Sequence, residues 1–172
     1  MPRDVKPVPI AASGDEAPAP LTRLGTLVRD AEPTGLALAE VVDLPPGSAL
    51  DLAQVRLTRA TTSSAETRTP VTVALLNQRG TVQGGVYSVI ADATAGWATE
   101  AYLGNDSYTT TAVTSQLVGA AVEGDVLVTR AHVEHGGRRT VVASAEVYRQ
   151  RAGSSDRLVA LVTCQQLVLA AI

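Results

Sequence analysis

The chain is short of the residues that carry metal and redox chemistry. It has one cysteine, Cys164, so no disulfide can form within it, and only two histidines, His132 and His135. No C-x-x-C pair or Cys/His cluster offers a zinc-type ligand set, and the expectation is that no metal or separate cofactor takes part. Cys164 lies in the apolar run LVALVTCQQLVLA, which predicts an inert, buried thiol in a reducing compartment. Positive charge is also scarce. Fourteen Lys and Arg stand against seventeen Asp and Glu, a net charge of −3, and no basic cluster exceeds Arg138-Arg139. Nucleic acid and anionic membrane surfaces are poor partners for such a surface. No run of about eighteen apolar residues could span a bilayer, and the first twenty residues lack the apolar segment of a signal peptide. A cytoplasmic location is expected.

Familiar catalytic signatures are missing too. There is no G-x-S-x-G elbow, His135 is expected at a hairpin turn, and His132 shows no carboxylate and serine partnering in sequence, which disfavours a Ser-His-Asp hydrolase. The stretch RGTVQGG, residues 79–85, is neither a phosphate loop nor a dinucleotide fingerprint, lacking the Lys-Ser/Thr of one and the spacing of the other.

At 172 residues the chain suits one domain with a substantial core. Residues 1–20 hold five of the nine prolines and little bulky apolar matter, which predicts a tail unable to repay its ordering entropy, followed by a single domain over 21–172. LTRLGTLVRD has helical spacing, and GLALAEVVDL and SALDLAQVRLTR read as two strands about a Pro45-Pro46-Gly47 turn. ATTSSAETRTP, rich in Ser and Thr and without a period, reads as a loop or an exposed strand edge. Four β-rich runs follow further on, near 108–118, 125–134, 139–150 and 157–170. In the third, Val141, Ala143, Ala145 and Val147 alternate with polar or small neighbours, the mark of a half-buried antiparallel sheet.

Between these groups Val86, Val89, Ile90, Ala93 and Trp97 recur at helical steps, predicting a helix from Gly84-Gly85 to about Ala98 with those residues as its apolar stripe. Glycine is a poor helix former, so the pair belongs in the first turn, where backbone N–H groups have no intrahelical partner and the helix dipole favours negative charge. An oxyanion developing on a thioester carbonyl is one such charge, and the missing Cβ at Gly84 would let it approach. Asp92, two turns on, reads by itself as an exposed surface acid. Its functional reading is a carboxylate at a cleft edge, acting as general base or nucleophile. Tyr87 and Trp97 read as core or pocket wall, and Glu100 as a solvated charge.

The run Asn77, Gly80, Thr81, Val82, Gln83, Gly84, Gly85, with Ala91-Asp92 following, resembles the N-x-x-G-T-x-H-G-G … A-D segment of hotdog-fold acyl-CoA thioesterases of the phenylacetate-pathway type. The resemblance covers about 75–165, through EGD and GRRT, and is looser from Gly35. It implies an α+β hotdog fold, an antiparallel sheet of about five to seven strands around one long helix. It implies further that Asp92 is the catalytic carboxylate, that the Gly84 N–H donates to the oxyanion, and that Asn77 positions the water or the thioester. Thr110 matches a hydroxyl that assists the water. Asp92 of one chain would act with Asn77 and Gly84 of another in a homodimer or tetramer, on an acyl-CoA or acyl-carrier substrate. Arg138 and Arg139 would contact the CoA phosphates, although pairs with Glu134 or Glu146 are an equal alternative. Gln83 departs from the family, which has His there. A glutamine keeps hydrogen bonding but loses titration near neutral pH. That departure motivates the competing reading, an acyl-CoA-binding or scaffold protein without catalysis.

Overall fold

A computed structural model describes Leu24, Gly25 and residues 44–169. The proline-rich tail lies outside the described residues, as do the helix expected in LTRLGTLVRD and the strand expected in GLALAEVVDL, except for Leu24, Gly25 and Leu44. The described elements are α1 (Ala49–Leu52), β1 (Arg56–Thr61), β2 (Ser64–Pro70), a 3-10 turn (Val73–Leu75), α2 (Gly84–Leu103), β3 (Tyr108–Leu117), β4 (Val126–Gly136), β5 (Thr140–Gln150) and β6 (Arg157–Val168). The strands form one antiparallel sheet in the order β1-β2-β4-β5-β6-β3, with α2 packed across its inner face. This is the hotdog arrangement.

Alternation generates the core. Val141, Ala143, Ala145 and Val147 of β5 are buried, as are Ala160, Val162 and Cys164 of β6 and Leu127, Ala131 and Val133 of β4. All face α2, which contributes Tyr87, Ile90, Ala91, Ala95, Ala98 and Ala101. The helix thus buries a face turned from the expected one. Ile90 and Trp97 are inside, but Val89 is 46% exposed. Alanine and threonine fill the close contact with the sheet, so bulk is a poor guide to which side faces inward. The helix also runs five residues past Ala98. It stops where Gly104 adopts φ 80° and its N–H reaches the Glu100 carbonyl at 2.7 Å, a left-handed cap that glycine adopts without strain.

Two further expectations are corrected. SALDLAQVRLTR is a short helix followed by β1, not one strand. Ser48 Oγ accepts from the Asp51 N–H at 3.3 Å while the Asp51 carboxylate accepts from the Gly47 N–H at 2.8 Å, a reciprocal cap that favours a helical turn. ATTSSAETRTP is not a loop or sheet edge. It carries the β1–β2 hairpin, and β2 sits inside the sheet between β1 and β4. Thr67 and Thr69 face the core in place of aliphatic residues, and Thr67 Oγ1 meets Thr94 Oγ1 of α2 at 2.9 Å. Threonine has the branched Cβ that suits a strand, and the Thr67–Thr94 contact offsets the cost of burying those two hydroxyls, whereas Thr69 Oγ1 is buried without a partner.

Among the charged groups described, Asp125 is the most deeply buried. Arg151 clasps it from Nε at 2.6 Å and Nη2 at 2.9 Å, and it accepts the Val122 N–H at 2.9 Å. The Arg151 guanidinium is the main reason its carboxyl stays below the usual carboxylate range; burial opposes this and the Val122 amide adds to it. Because the folded value is depressed, the stabilisation is present above the unfolded pKa near 4 and drains as pH falls through the folded value. Asp125→Ala should cost about 1.5–3 kcal/mol at neutral pH. Urea unfolding should show the gap between variant and parent closing as the pH is taken below about 4; a gap independent of pH would contradict the assignment.

Candidate functional site

Three hydrogen-bonded layers lead to the start of α2. The Asp125 turn presents Ala121 and Val122, which pair with the incoming segment: Val82 N–H donates to the Ala121 carbonyl at 2.9 Å, and Thr81 bridges Val122. Tyr87, in the first turns of α2, accepts the Ala121 N–H at its hydroxyl at 3.1 Å. Its own proton is held more tightly than usual, chiefly by burial. Asn77 closes the loop before the helix. Its Oδ1 accepts the Arg79 N–H at 2.8 Å, its Nδ2 donates to Thr81 Oγ1 at 3.0 Å, and Gly80 takes φ 75° between them. Gln83 is the N-cap residue. Its backbone N–H donates to the Leu75 carbonyl at 2.9 Å, while its side chain is exposed and makes no capping bond.

The first helical position is therefore Gly84. Among the described residues, no acceptor takes the Gly84 or Gly85 N–H, as expected for the first turn of a helix without a side-chain cap. A Cβ on Gly84 would come within 2.9 Å of Leu117 Cδ1 of β3, so the bare backbone lets the strand lie close.

From Gly84 the same side of α2 runs along β3. Ser88 Oγ meets Ser115 Oγ at 2.8 Å, and Thr110 Oγ1 donates to Asp92 Oδ1 at 2.9 Å. One turn later a Cβ on Gly96 would lie 3.0 Å from the Tyr108 hydroxyl. Burial chiefly, with Glu100 and Asp92 nearby, raises that phenol above its ordinary pKa. Glu100 is accordingly half-buried beside a tyrosine, not a fully solvated charge. Asp92 also has a neighbour that the sequence reading treated as inert. Cys164, fully buried on β6 opposite Val113, lies near the carboxylate, and burial first and Asp92 second push its thiol up to about 12.

The structure thus brings Asp92 and Thr110 together, and separately gathers Asn77, Gln83 and Gly84 at the helix entrance. It does not bring the two groups together within one chain. Eight residues separate Gly84 from Asp92, about 12 Å along the helix axis. Arg138 and Arg139 are exposed on the β4–β5 turn. The Arg139 carbonyl accepts the Val168 N–H, in register with Tyr108, so this turn sits toward the C-terminal end of α2. The surroundings of His132 also differ from expectation. On the outer sheet face its Nε2 lies 2.7 Å from Glu134 Oε1, and Ser144 approaches it at 3.4 Å across the β4–β5 pair. Ser144 donates to Glu134 at 2.7 Å rather than through the imidazole, and the cluster is half-exposed, so it lacks the order of a nucleophilic triad. Among the described residues no His/Cys/Asp/Glu group could hold a metal ion, and no helix is long and apolar enough to cross a membrane.

Residues 79–154 match the family model described as the thioesterase superfamily. Among solved structures, the PaaI protein of the Escherichia coli phenylacetic acid degradation operon aligns with a TM-score of 0.62 and 21% identity, over 73% of this chain and 87% of that one. A conserved protein from Pseudomonas aeruginosa aligns at 0.62 and 29% identity, over 73% and 100%. A Streptococcus mutans protein bound to acetyl-CoA aligns at 0.63 and 18% identity, over 76% and 97%. No curated protein matches the chain in sequence. The resemblance noted from Asn77 to Asp92 thus stands, with its hotdog fold.

The burial of Cys164 has a direct chemical consequence, because the thiolate is the species that alkylates and this thiol stays protonated below about 12. Folded protein should resist iodoacetamide at pH 9, while protein unfolded in urea at the same pH should label at its single cysteine. Mass spectrometry reads both, and rapid labelling of the folded protein would mean that the thiol is open to solvent.

Proposed function

We propose that this hotdog chain, matched to the thioesterase superfamily across the segment that holds its helix and acid, hydrolyses an acyl-CoA or acyl-carrier thioester at a site shared by two copies. The observation that carries the reading is a half-buried carboxylate oriented by a strand hydroxyl, on the same helix whose first amide has no acceptor among the described residues. Asp92 takes a proton from water as the water oxygen attacks the thioester carbon. The oxyanion that forms accepts from the Gly84 N–H of a second copy. The carbon–sulfur bond then breaks, and the carboxylic acid and the thiol leave. Direct attack by Asp92 gives the same products through an anhydride that water then cleaves.

The other residues fall into supporting roles. Thr110 orients the carboxylate. Asn77 anchors the loop that presents Gly84, and its second Nδ2 proton, with no acceptor among the described residues, is available to the thioester or to water. Arg138 and Arg139 are exposed cations for the CoA phosphates. The acetyl-CoA held by the Streptococcus mutans relative supports a CoA ligand. The bare Gln83 side chain favours one alternative, an acyl-CoA-binding protein without turnover, since nothing at the helix entrance titrates near neutral pH.

Thiol release from short, aromatic and long acyl-CoAs separates these readings. Asp92→Asn should lower kcat by about 10²–10⁴-fold, the range of a positioned general base. Activity unchanged by that substitution rejects the site, and no release from any thioester favours the binding protein. Gly84→Pro removes the proposed oxyanion donor with little cost to the fold, because proline suits the first helical position and Gln83 is already extended, with ψ 132°. It should reduce kcat by about 10²–10³-fold. Unchanged kcat with normal thermal stability would remove that amide from the mechanism.

A further inference from the structure

We propose that Cys164 is a positioning residue for Asp92: its S–H donates to the carboxylate from β6 while Thr110 donates from β3. This rests on the role given to Asp92 above and adds the second strand that holds it.

Contacts toward the two ends of β6 place the thiol along the helix. Strand β6 runs in the same direction as α2, because Leu117, against Gly84, pairs with Ala160, and Tyr108, against Gly96, pairs with Val168. Cys164 is midway between those two β6 residues, and the midpoint of the two helix residues is Ile90. A nearer contact gives a second bearing. Gln166 is hydrogen-bonded to Thr99, and two strand residues back from it is about 6.6 Å, or roughly four helical residues, which leads to Ala95. Asp92 lies between the two bearings, on the side of the helix that faces β3.

The strand register brings both donors to one acid. A bulge at Thr111 leaves Thr110 opposite Gln166 and Val113 opposite Cys164. Thr110, whose hydroxyl meets Asp92, and Cys164, fully buried under the helix, are therefore diagonal neighbours on the inner face. Diagonal pairs stand about 7–8 Å apart, the space that one carboxylate fills with a donor on either side.

The thiol is in the state that donates. Burial first, and then the Asp92 carboxylate, push it up to about 12, so the S–H is intact at neutral pH and no thiolate competes with water for the thioester. The half-buried acid has given up part of its hydration, and a thiol that turns its proton toward the charge replaces some of what was lost. Thr110 then fixes Oδ1 from the edge strand, and the thiol fixes the plane of the carboxylate from beneath. The oxygen that accepts the proton keeps one direction toward the attacking water.

Raman spectroscopy reads the contact without reference to activity. Cys164 is the single cysteine, so the folded protein has one S–H stretching band. Asp92→Asn matches the acid in size and exchanges a charged acceptor for a neutral one, so the band should move to higher wavenumber. A band at the same place in both proteins, each unfolding cooperatively on heating, overturns the contact. In thioester hydrolysis Cys164→Ala should lower kcat by about tenfold with KM unchanged, the rate equivalent of one ordinary hydrogen bond. Cys164→Ser restores a donor and should recover most of that loss. In an Asp92→Asn background Cys164→Ala should have little further effect, because its effect passes through the acid. The same fractional loss in both backgrounds, or a serine variant no better than the alanine one, assigns Cys164 to packing alone and overturns its positioning role. A band that responds to Asp92→Asn in a parent that turns over no thioester supports the contact and rejects the catalytic reading. An active parent whose band ignores Asp92→Asn does the reverse.

Discussion

Helix α2 lies across the inner face of the sheet with its Gly84, Ser88, Asp92 and Gly96 side along edge strand β3, and the site geometry depends on that contact. Each of the four meets a different strand residue: Leu117, Ser115, Thr110 and Tyr108 in turn. Two of the four helix positions are glycines: a Cβ at Gly84 would meet only the tip of the exposed Leu117 side chain, which can turn aside, and one at Gly96 would press on the Tyr108 hydroxyl. Once the separation is set, the two hydroxyl contacts fix the helix along its own axis. A carboxylate in such a place can be oriented by one strand hydroxyl because neither partner is free to move away.

The opposite side of the helix is held by different chemistry. There Ala91, Ala95 and Ala98 let the backbone close onto the sheet, while Thr94 links to Thr67 of β2 and Thr99 to Gln166 of β6. Small residues with interspersed hydroxyl contacts give a close interface that resists rotation better than interchangeable aliphatic packing, since each hydrogen bond has one correct register. At the helix entrance the Asp125–Arg151 pair does a related task from a distance. It holds the turn that receives Val82 and Tyr87, and so determines where the unpartnered Gly84 amide is presented.

How much of this could be read from the chain follows from which physical signal each part uses. The strands β3 to β6 and the start of α2 were legible because period-two alternation, turn residues and the Gly-Gly pair are local signals. β2 was not, since its buried face carries Thr67 and Thr69 beside Ala65, residues that look like a loop, and of the two threonines only Thr67 finds a helix partner, in Thr94. The end of α2 was misplaced because Glu100 breaks the apolar stripe, while the real stop signal, Gly104, lies four residues later. Thr110 could be named only through the resemblance, which also singled out the functional readings of Asp92 and Gly84 from the bland ones, as a lone acid and a lone threonine have no local signature. Cys164 beside Asp92 was out of reach. Alternation along β6 puts the thiol inside, but which helix residue it faces is decided by the height of α2 against the sheet.

The same geometry bears on Gln83, the departure that raised the question of catalysis. The elements proposed to act on the thioester are a backbone amide, a carboxylate and a strand hydroxyl, and none is donated by residue 83. What residue 83 contributes to the helix entrance is its main chain: an extended conformation at the N-cap and an N–H bound to Leu75. Glutamine and histidine supply those equally. The side chain projects outward, where it can meet substrate without holding the loop together. Exchange of a ring for an amide at that position therefore alters what approaches the entrance and removes a titrating group from it, while the first amide of the helix keeps its direction. On the proposed reading, the substitution at 83 belongs to substrate choice and pH response, and the capacity for hydrolysis rests on Gly84 and Asp92.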